Sequence, residues 1–483
     1  MTARTDATAA LAAHAADAPR AGRDDMNVAA ARAAIDTIAC MIAGADDAAP
    51  RALARAVAPW PGGTAETVLA GSPAPAPWAA LVNGAAAHAL DYDDVQETAA
   101  AHASAVFVPA LLALAQERDA TGRRFVEGLA VSFDVLNALA AAMNYAHYAR
   151  GWHTTVTLCA PAAAAGCGRL IGLDARRMQH AISAATSFAA GSKLQFGTDM
   201  KPAHAGLAAQ AGILAALFAE QGLTAAPAVL EGPWSFADLY GGAGAPGFAA
   251  GLACLAGPPA IVDPGAWIKA YPCCASAHRP IDALFALRKA HRFGANDVTR
   301  VDAYVSEIVQ RNLMYERPAT TPQARFSLNH CLAIAAHRDR IALDDFSADA
   351  IADPALAGFR PRVHMHLDPG LPATIAPGSG AERCRLAVTL ADGTTLEETV
   401  VWPFGHARRP LSADALRDKF TDCTRAALSP DAGARLFARL ENIAAEQSLR
   451  GLLAVGPPPA RHARSSPPAT TPVTETGTRE HHA

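Results

Sequence analysis

The segment NGAAAHALDYDDVQETAAAHAS, residues 83–104, gathers two histidines, three aspartates and a glutamate in a stretch otherwise dominated by alanine. Carboxylates and imidazoles at this density can hold a metal, bind a diphosphate through that metal, or move a proton at a carbon acid. His88 and Asp91 are three residues apart, so a helix end sets them on one face. Asp93 and Asp94 read as solvated carboxylates at that helix end. His102 stands just before the next helix, where the dipole disfavours imidazolium, so a neutral ring able to accept a proton is expected there. The run DDVQE, 93–97, also has the form of a DDxxE magnesium site for a diphosphate. Such a site needs a second acidic helix and an aromatic cavity; no matching motif is found and aromatic residues make up 6% of the chain.

Other polar clusters follow. ARGWHTTVTLCAP, 149–161, puts His153 in a turn ahead of a helix, with Thr154 or Thr155 as its N-cap. The adjacent run APAAAAGCG, 160–168, has so little side-chain bulk that it suits close helix contact in a buried centre. SKLQFGTDMKPAHAG, 192–206, places Lys201 immediately before a helix whose first position is Pro202. A cation there opposes the helix dipole, which makes sense if an anion is shared with the free backbone N–H groups; an exposed lysine is the plain alternative. WIKAYPCCASAHRPIDAL, 267–284, sets Lys269 before a Tyr-Pro turn, then Cys273, Cys274 and His278. With His364 and His366 these would make a zinc set, but nothing closes that spacing, and the thiols read as packing or pocket-lining groups. Lysine is scarce. Of 41 basic residues five are lysines (Lys193, Lys201, Lys269, Lys289 and Lys419) and the rest arginine. A lysine kept in such a chain marks a place where a compact ammonium with a movable pKa serves and arginine does not.

The elements that must position these groups are mostly helical. The chain has 483 residues, 51% of them hydrophobic, enough for a large core and more than one domain. A formal net charge of −4 leaves no nucleic-acid footprint. Nine irregularly spaced cysteines predict reduced thiols, and the N-terminus lacks a secretory pattern. The longest apolar helix, 205–219, is too short to span a bilayer, so the expectation is a soluble, cytoplasmic protein. Helices are predicted over 26–44, from 76 into the acidic stretch, from a Ser104 N-cap to a stop at Gly122, and from Pro202 to Gly222. Strand patterns appear at 300–306 and 362–368, and 385–402 reads as a hairpin around Asp392-Gly393. The fold class is mainly α. A flexible arm (1–25) precedes a helical part (26–268), an α+β insert (269–408), a second helical part (409–455) that packs back on the first, and a disordered tail (456–483). Lys269 lies at a domain junction, a favoured place for a cleft.

Taken in order, NGAAAHALDYDD with its downstream HAS, GWHTT leading to GRLIGLD, MKPAHAG leading to QGLTAAPAVLEG, and KAYPCCASAHRPID resemble the MmgE/PrpD family. The resemblance covers roughly 26–455. That family includes 2-methylcitrate dehydratase, cis-aconitate decarboxylase and iminodisuccinate epimerase. The resemblance implies a helical domain built from both chain ends, an α+β lid domain, a homodimer, no metal and no organic cofactor. It assigns Asp91, His102, His153, Lys201 and Lys269 to catalysis on a small polycarboxylate. It has His88, Cys274, His278 and His330 lining the same cleft, with the lysines also binding substrate. In the implied mechanism one of the two histidines takes the α-proton, the other serves the leaving hydroxyl, and Asp91 orients a histidine. Three departures weigh against cis-aconitate decarboxylation: Val95 where decarboxylase-like members carry threonine, a cysteine at 274 where they have a nearby histidine, and His330 near their tyrosine. The usual HPS is HAS here.

Overall fold

The computed structural model describes residues 6–17, 23–68, 73–144, 146–242, 245–371 and 382–454. The expected disordered tail and residues 1–5 and 18–22 of the expected arm lie outside these.

Alanine carries no side-chain entropy cost in a helix and lets helix axes approach closely, and the larger part of the molecule is built on that property. Helices Asp24–Gly44, Ala76–His88, Ser104–Arg118, Gly122–Met143, Cys159–Ile171 and Met200–Glu220 are buried over most of their lengths and share one hydrophobic core. Apolar character around the whole circumference is what such central helices require. One crossing matters for the site. A Cβ on Gly206 would lie 2.0 Å from the carbonyl oxygen of Leu81, and one on Gly84 would lie 2.8 Å from Gly206 Cα. Only glycine lets helices Ala76–His88 and Met200–Glu220 touch backbone to backbone, and this brings His88, at the end of one, to Lys201, at the start of the other.

Several expectations are corrected. Residues 7–17 form no frayed arm: Ala7–Asp17 is a helix that buries Ala7, Leu11, Ala12 and Ala15 against helix Ala175–Ala185. Their i, i+4 spacing is the signal that composition hid. Gly122 opens helix Gly122–Met143, capped by Thr121, instead of ending the preceding one. Ser104 is the first residue of its helix, with Ala103 as N-cap. The apolar run 205–219 belongs to a 21-residue helix, one of three among the described residues long and apolar enough to cross a membrane by length and composition; each has 67–83% of that stretch buried inside the protein.

The C-terminal helices Ala413–Thr424 and Pro430–Glu441 pack on helix Asp24–Gly44, and their Leu416, Phe420, Leu436 and Phe437 belong to the same core. A second core runs from Tyr271 to Val388, with Phe196 added. It lies around a four-stranded sheet of order β2-β1-β3-β4: β1 Val298–Val305, β2 Val363–Leu367, β3 Cys384–Leu390 and β4 Thr395–Val400. β2 runs parallel to β1, and the β3–β4 hairpin turns at Asp392-Gly393 as its sequence predicts. Helices His278–His291 and Leu328–His337 pack against each other, the first also on β3 and β4 and the second also on β2.

Candidate active site

The acidic turn after helix Ala76–His88 is bent back on itself. Asp91 adopts a left-handed conformation (φ 52°), a strained state for a non-glycine residue that persists only where surroundings over-determine it. Those surroundings are visible. The Arg325 guanidinium donates to Ala89 O, and Val95 and Trp267 exchange backbone hydrogen bonds of 2.9 and 2.8 Å. Asp94, buried, accepts from the Ser104 amide (3.1 Å) and hydroxyl (2.5 Å), closing the loop onto the next helix. Thr154 and Thr155 do not cap their helix; Thr155 Oγ1 accepts from the His102 amide and Thr154 donates to Ala100 O, so the GWHTT turn fastens the His102 loop. His153 itself occupies the N-cap position.

Within this frame the charged groups form a chain. The Asp93 carboxylate accepts from His88 Nδ1 at 2.9 Å, His88 Nε2 accepts from the Lys201 ammonium at 2.9 Å, and Lys201 Nζ also donates to Asp91 Oδ1 at 2.5 Å. Lys269 Nζ lies 3.3 Å from Asp91 Oδ2 and donates to the Asp91 carbonyl at 2.7 Å. His102 Nδ1 sits 3.0 Å from Asp93 Oδ2, an ion-pair distance that is out of line for a straight hydrogen bond, while its Nε2 is 3.7 Å from Asp91. His153 and His204 share a hydrogen bond between their Nδ1 atoms (2.9 Å).

Burial alone would raise the Asp91 carboxyl, but Lys201 and Lys269 outweigh it and hold it well below the usual carboxylate range. The same pairing keeps Lys269 charged despite complete burial, with Asp91 and Asp93 outweighing desolvation. The imidazoles move the other way. Burial, with His88, Lys269 and Lys201 nearby, brings His102 down to about 3 against the pull of Asp93. His153 is held well below 6.5 by burial and by Lys201. Two fixed cations therefore stand beside two neutral bases.

A cavity opens above this knot. Asp91, His102, His153 and Lys201 line its floor, Val95, Phe196, Trp267 and Cys274 its walls, and Glu97, Arg279 and Glu382 its far end. There Arg279 donates to Glu97 at 3.0 Å, approaches Glu382 at 3.6 Å and packs over Trp267.

Asp91, His102, His153 and Lys201 thus reach one cavity, Lys269 stands behind Asp91, and His88 is fully buried in the relay. Cys274 is on the wall as expected. His278 is not on the cavity lining; it is buried between the rings of Trp267 and Tyr271. His330 lies outside too, its nitrogens held by the Asp345 carbonyl and Arg360 in the second core. Asp93 and Asp94 are buried instead of solvated, because His88, His102 and Ser104 supply the donors that replace water. Asp93, not Asp91, is the carboxylate placed to orient histidines; Asp91 holds lysines. The diphosphate reading fails on direction, since Asp93, Asp94 and Glu97 face His88, Ser104 and Arg279 respectively and share no centre. The zinc set does not assemble either: His366 pairs with Asp302 on the sheet. His88, Asp91, Asp93 and His102 do bring potential ligand atoms within 4.8 Å of one another. A divalent cation there would have to displace two ammonium groups from Asp91. Sequence reasoning missed Asp93, His204, Arg279 and Glu382. His204 had a signal, standing three residues after Lys201 on the same helix face.

Residues 9–249 match the MmgE/PrpD N-terminal domain and residues 271–442 the MmgE/PrpD C-terminal domain. Human cis-aconitate decarboxylase is 27% identical over 412 residues, 83% of this chain and 84% of its own length. The mouse cis-aconitate decarboxylase is 26% identical over 72% of this chain and 71% of its own, and that of Aspergillus terreus 24% identical over 71% and 73%. Decarboxylases of this kind are lyases.

Proposed function

The chain belongs to the MmgE/PrpD family, and from that membership we propose that it is a cofactor-independent lyase of small polycarboxylates, dehydrating a tricarboxylate of the 2-methylcitrate type. The observation that carries this reading is the convergence of Lys201, His102 and His153 with Asp91 at one cavity floor, with Lys269 paired to Asp91 from behind.

A proton on a carbon beside a carboxylate is hard to remove because negative charge then builds on that carboxylate. Preorganised cations at that point are worth several kcal/mol of barrier in a water-poor site. In this reading Lys201 supplies one directly, and Lys269, buried behind Asp91, adds its charge from below. One of His102 and His153, neutral near physiological pH, takes the α-proton. The other, which takes up a proton when the bound polyanion raises its pKa, delivers that proton to the β-hydroxyl as the carbon–oxygen bond breaks, so that water leaves and a carbon–carbon double bond forms. An incoming anion raises the pKa of both rings, which makes them competent bases only once substrate is bound. Asp93 sets the tautomer of His88 and faces His102, and His204 backs His153. Closure of the α+β unit over the cavity would exclude water.

Epimerisation of an imino- or dicarboxylate is the second reading, since two bases facing one cavity suit proton transfer to either face. Decarboxylation of cis-aconitate comes third. Of the three departures from decarboxylase-like members, Val95 and Cys274 line the cavity, whereas His330 is remote and carries no weight. An inactive scaffold is disfavoured by the retention of buried charges that stability alone does not require.

The purified protein, with and without a chelator, is incubated with 2-methylcitrate, citrate, cis-aconitate and iminodisuccinate in deuterated water and followed by proton NMR. An unsaturated tricarboxylate supports the dehydratase, deuterium exchange without loss of water the epimerase, and loss of CO₂ the decarboxylase. No change with any of the four, or turnover that the chelator abolishes, would sink the reading.

A further inference from the structure

Beneath the cavity floor lies a second buried charge that the chemistry above does not use. Lys419, on helix Ala413–Thr424, is 5% exposed. Its ammonium donates to the Tyr92 carbonyl at 2.8 Å and to the Lys269 carbonyl at 2.9 Å. Asp36 Oδ1, from helix Asp24–Gly44, lies 2.5 Å away, and the nitrogen sits 3.9 Å from the centre of the Tyr92 ring. Helix Ala413–Thr424 is thereby tied to the two backbone segments that carry Asp91, Asp93 and Lys269.

We propose that Lys419 is the positioning residue of this site: by holding the carbonyls of Tyr92 and Lys269 on one nitrogen, it sets the Asp91 carbonyl and carboxylate against the Lys269 ammonium. Tyr92 directly follows the left-handed Asp91 and directly precedes Asp93. Lys269 Nζ bonds Asp91 O, and Lys419 Nζ bonds Lys269 O, so two ammonium groups close a loop through the same two strands of backbone. Only a compact cation with tetrahedral donors reaches two carbonyls from separate segments and a carboxylate behind them; a planar guanidinium does not. The lysine census says the same independently. Five lysines stand against 36 arginines (41 minus 5), and three of those five, Lys201, Lys269 and Lys419, converge on the turn 91–93.

The test separates positioning from the stability of a buried ion pair. Lys419→Met leaves Asp36 buried without its cation and lowers the melting temperature. The double change Asp36→Leu with Lys419→Met replaces the pair by apolar side chains and restores much of the melting temperature. Asp36→Asn keeps both carbonyl bonds. The expectation is that kcat falls about 10–100-fold in both variants lacking Lys419, with KM little altered, while Asp36→Asn keeps kcat within a few-fold. Lysine ¹³Cε NMR, with only five signals to assign, should show the Lys269 and Lys201 resonances displaced in the double variant and not in Asp36→Asn. If Lys419→Met does not fold, the double variant and Lys419→Arg carry the same readouts. The kinetic arm rests on the lyase reading and the NMR arm does not, so a wrong reaction and a wrong role for Lys419 are told apart. A double variant with wild-type kcat, or with unmoved Lys269 and Lys201 resonances, would overturn the proposal.

Discussion

The histidines of the cavity floor and of the second core differ in what their rings have left to offer. In the second core His330 is pushed down to about 4, chiefly by burial, and both of its nitrogens are already bonded. On the cavity floor His102 is pushed down to about 3 for the same leading reason. It stands beside the Asp91 carboxylate that Lys201 and Lys269 hold, feels the charge of both ammonium groups, and borders open space. A depressed pKa is therefore not the mark of chemistry here. The mark is a neutral ring beside fixed cations with room for a ligand.

That contrast can be broken most sharply by removing equivalent groups in each region. His102→Gln should lower kcat by about 10²–10⁴-fold with the fold retained by circular dichroism. His330→Asn should leave kcat within a few-fold and cost about 1–3 kcal/mol of stability in a denaturant melt, since it orphans buried partners. Equal losses of activity from both would erase the distinction. Gly206→Ala tests the helix crossing that delivers Lys201 to His88. The added methyl meets Leu81 O, so about 1–3 kcal/mol of overpacking is expected along with reduced activity. Unchanged stability would show that the two helices can separate freely.

The pH dependence sharpens the same comparison. His102 and His153 have folded pKa values below 6.5, so the free enzyme holds them neutral through physiological pH and protonates them only on further acidification. kcat/KM should show no limb near 6.5; its acid limb should lie below about pH 5. A smaller effect concerns Asp94, raised to about 7 by burial and by Asp36. Between its unfolded and folded values the unfolded chain ionises first, so this group removes stability as pH rises and adds none. Asp94→Asn should therefore raise the melting temperature at about pH 8 more than at about pH 5, read by calorimetry. The reverse order would contradict the sign.

Much of this was legible because the chain announces it in types and order. The helices read well where alanine runs meet glycine, and the hairpin at Asp392-Gly393 was written in two residues. Asp91, His102, His153 and Lys201 stood out as polar groups in an apolar sequence, and all four border one cavity. Asp93 and Asp94 were misread because burial depends on partners that arrive from elsewhere: His102 and Ser104 come back through a loop no local pattern specifies. His330 was misplaced for the converse reason, since the ring is satisfied by Asp345 and Arg360, which sequence spacing does not connect to it. Lys419 lay hidden in a helix with an ordinary amphipathic pattern; only the scarcity of lysine pointed to it.

The most direct test of the whole account is the exchange of carbon-bound protons for deuterium in the responsive polycarboxylate, followed by proton NMR for wild type and for Lys201→Met. The wild type should wash out the proton beside a carboxylate, and the variant should do so at a rate about 10²–10³-fold lower, with both proteins folded. Washout by Lys201→Met at the wild-type rate would mean that the charged knot on the cavity floor is not where the carbon acid is activated.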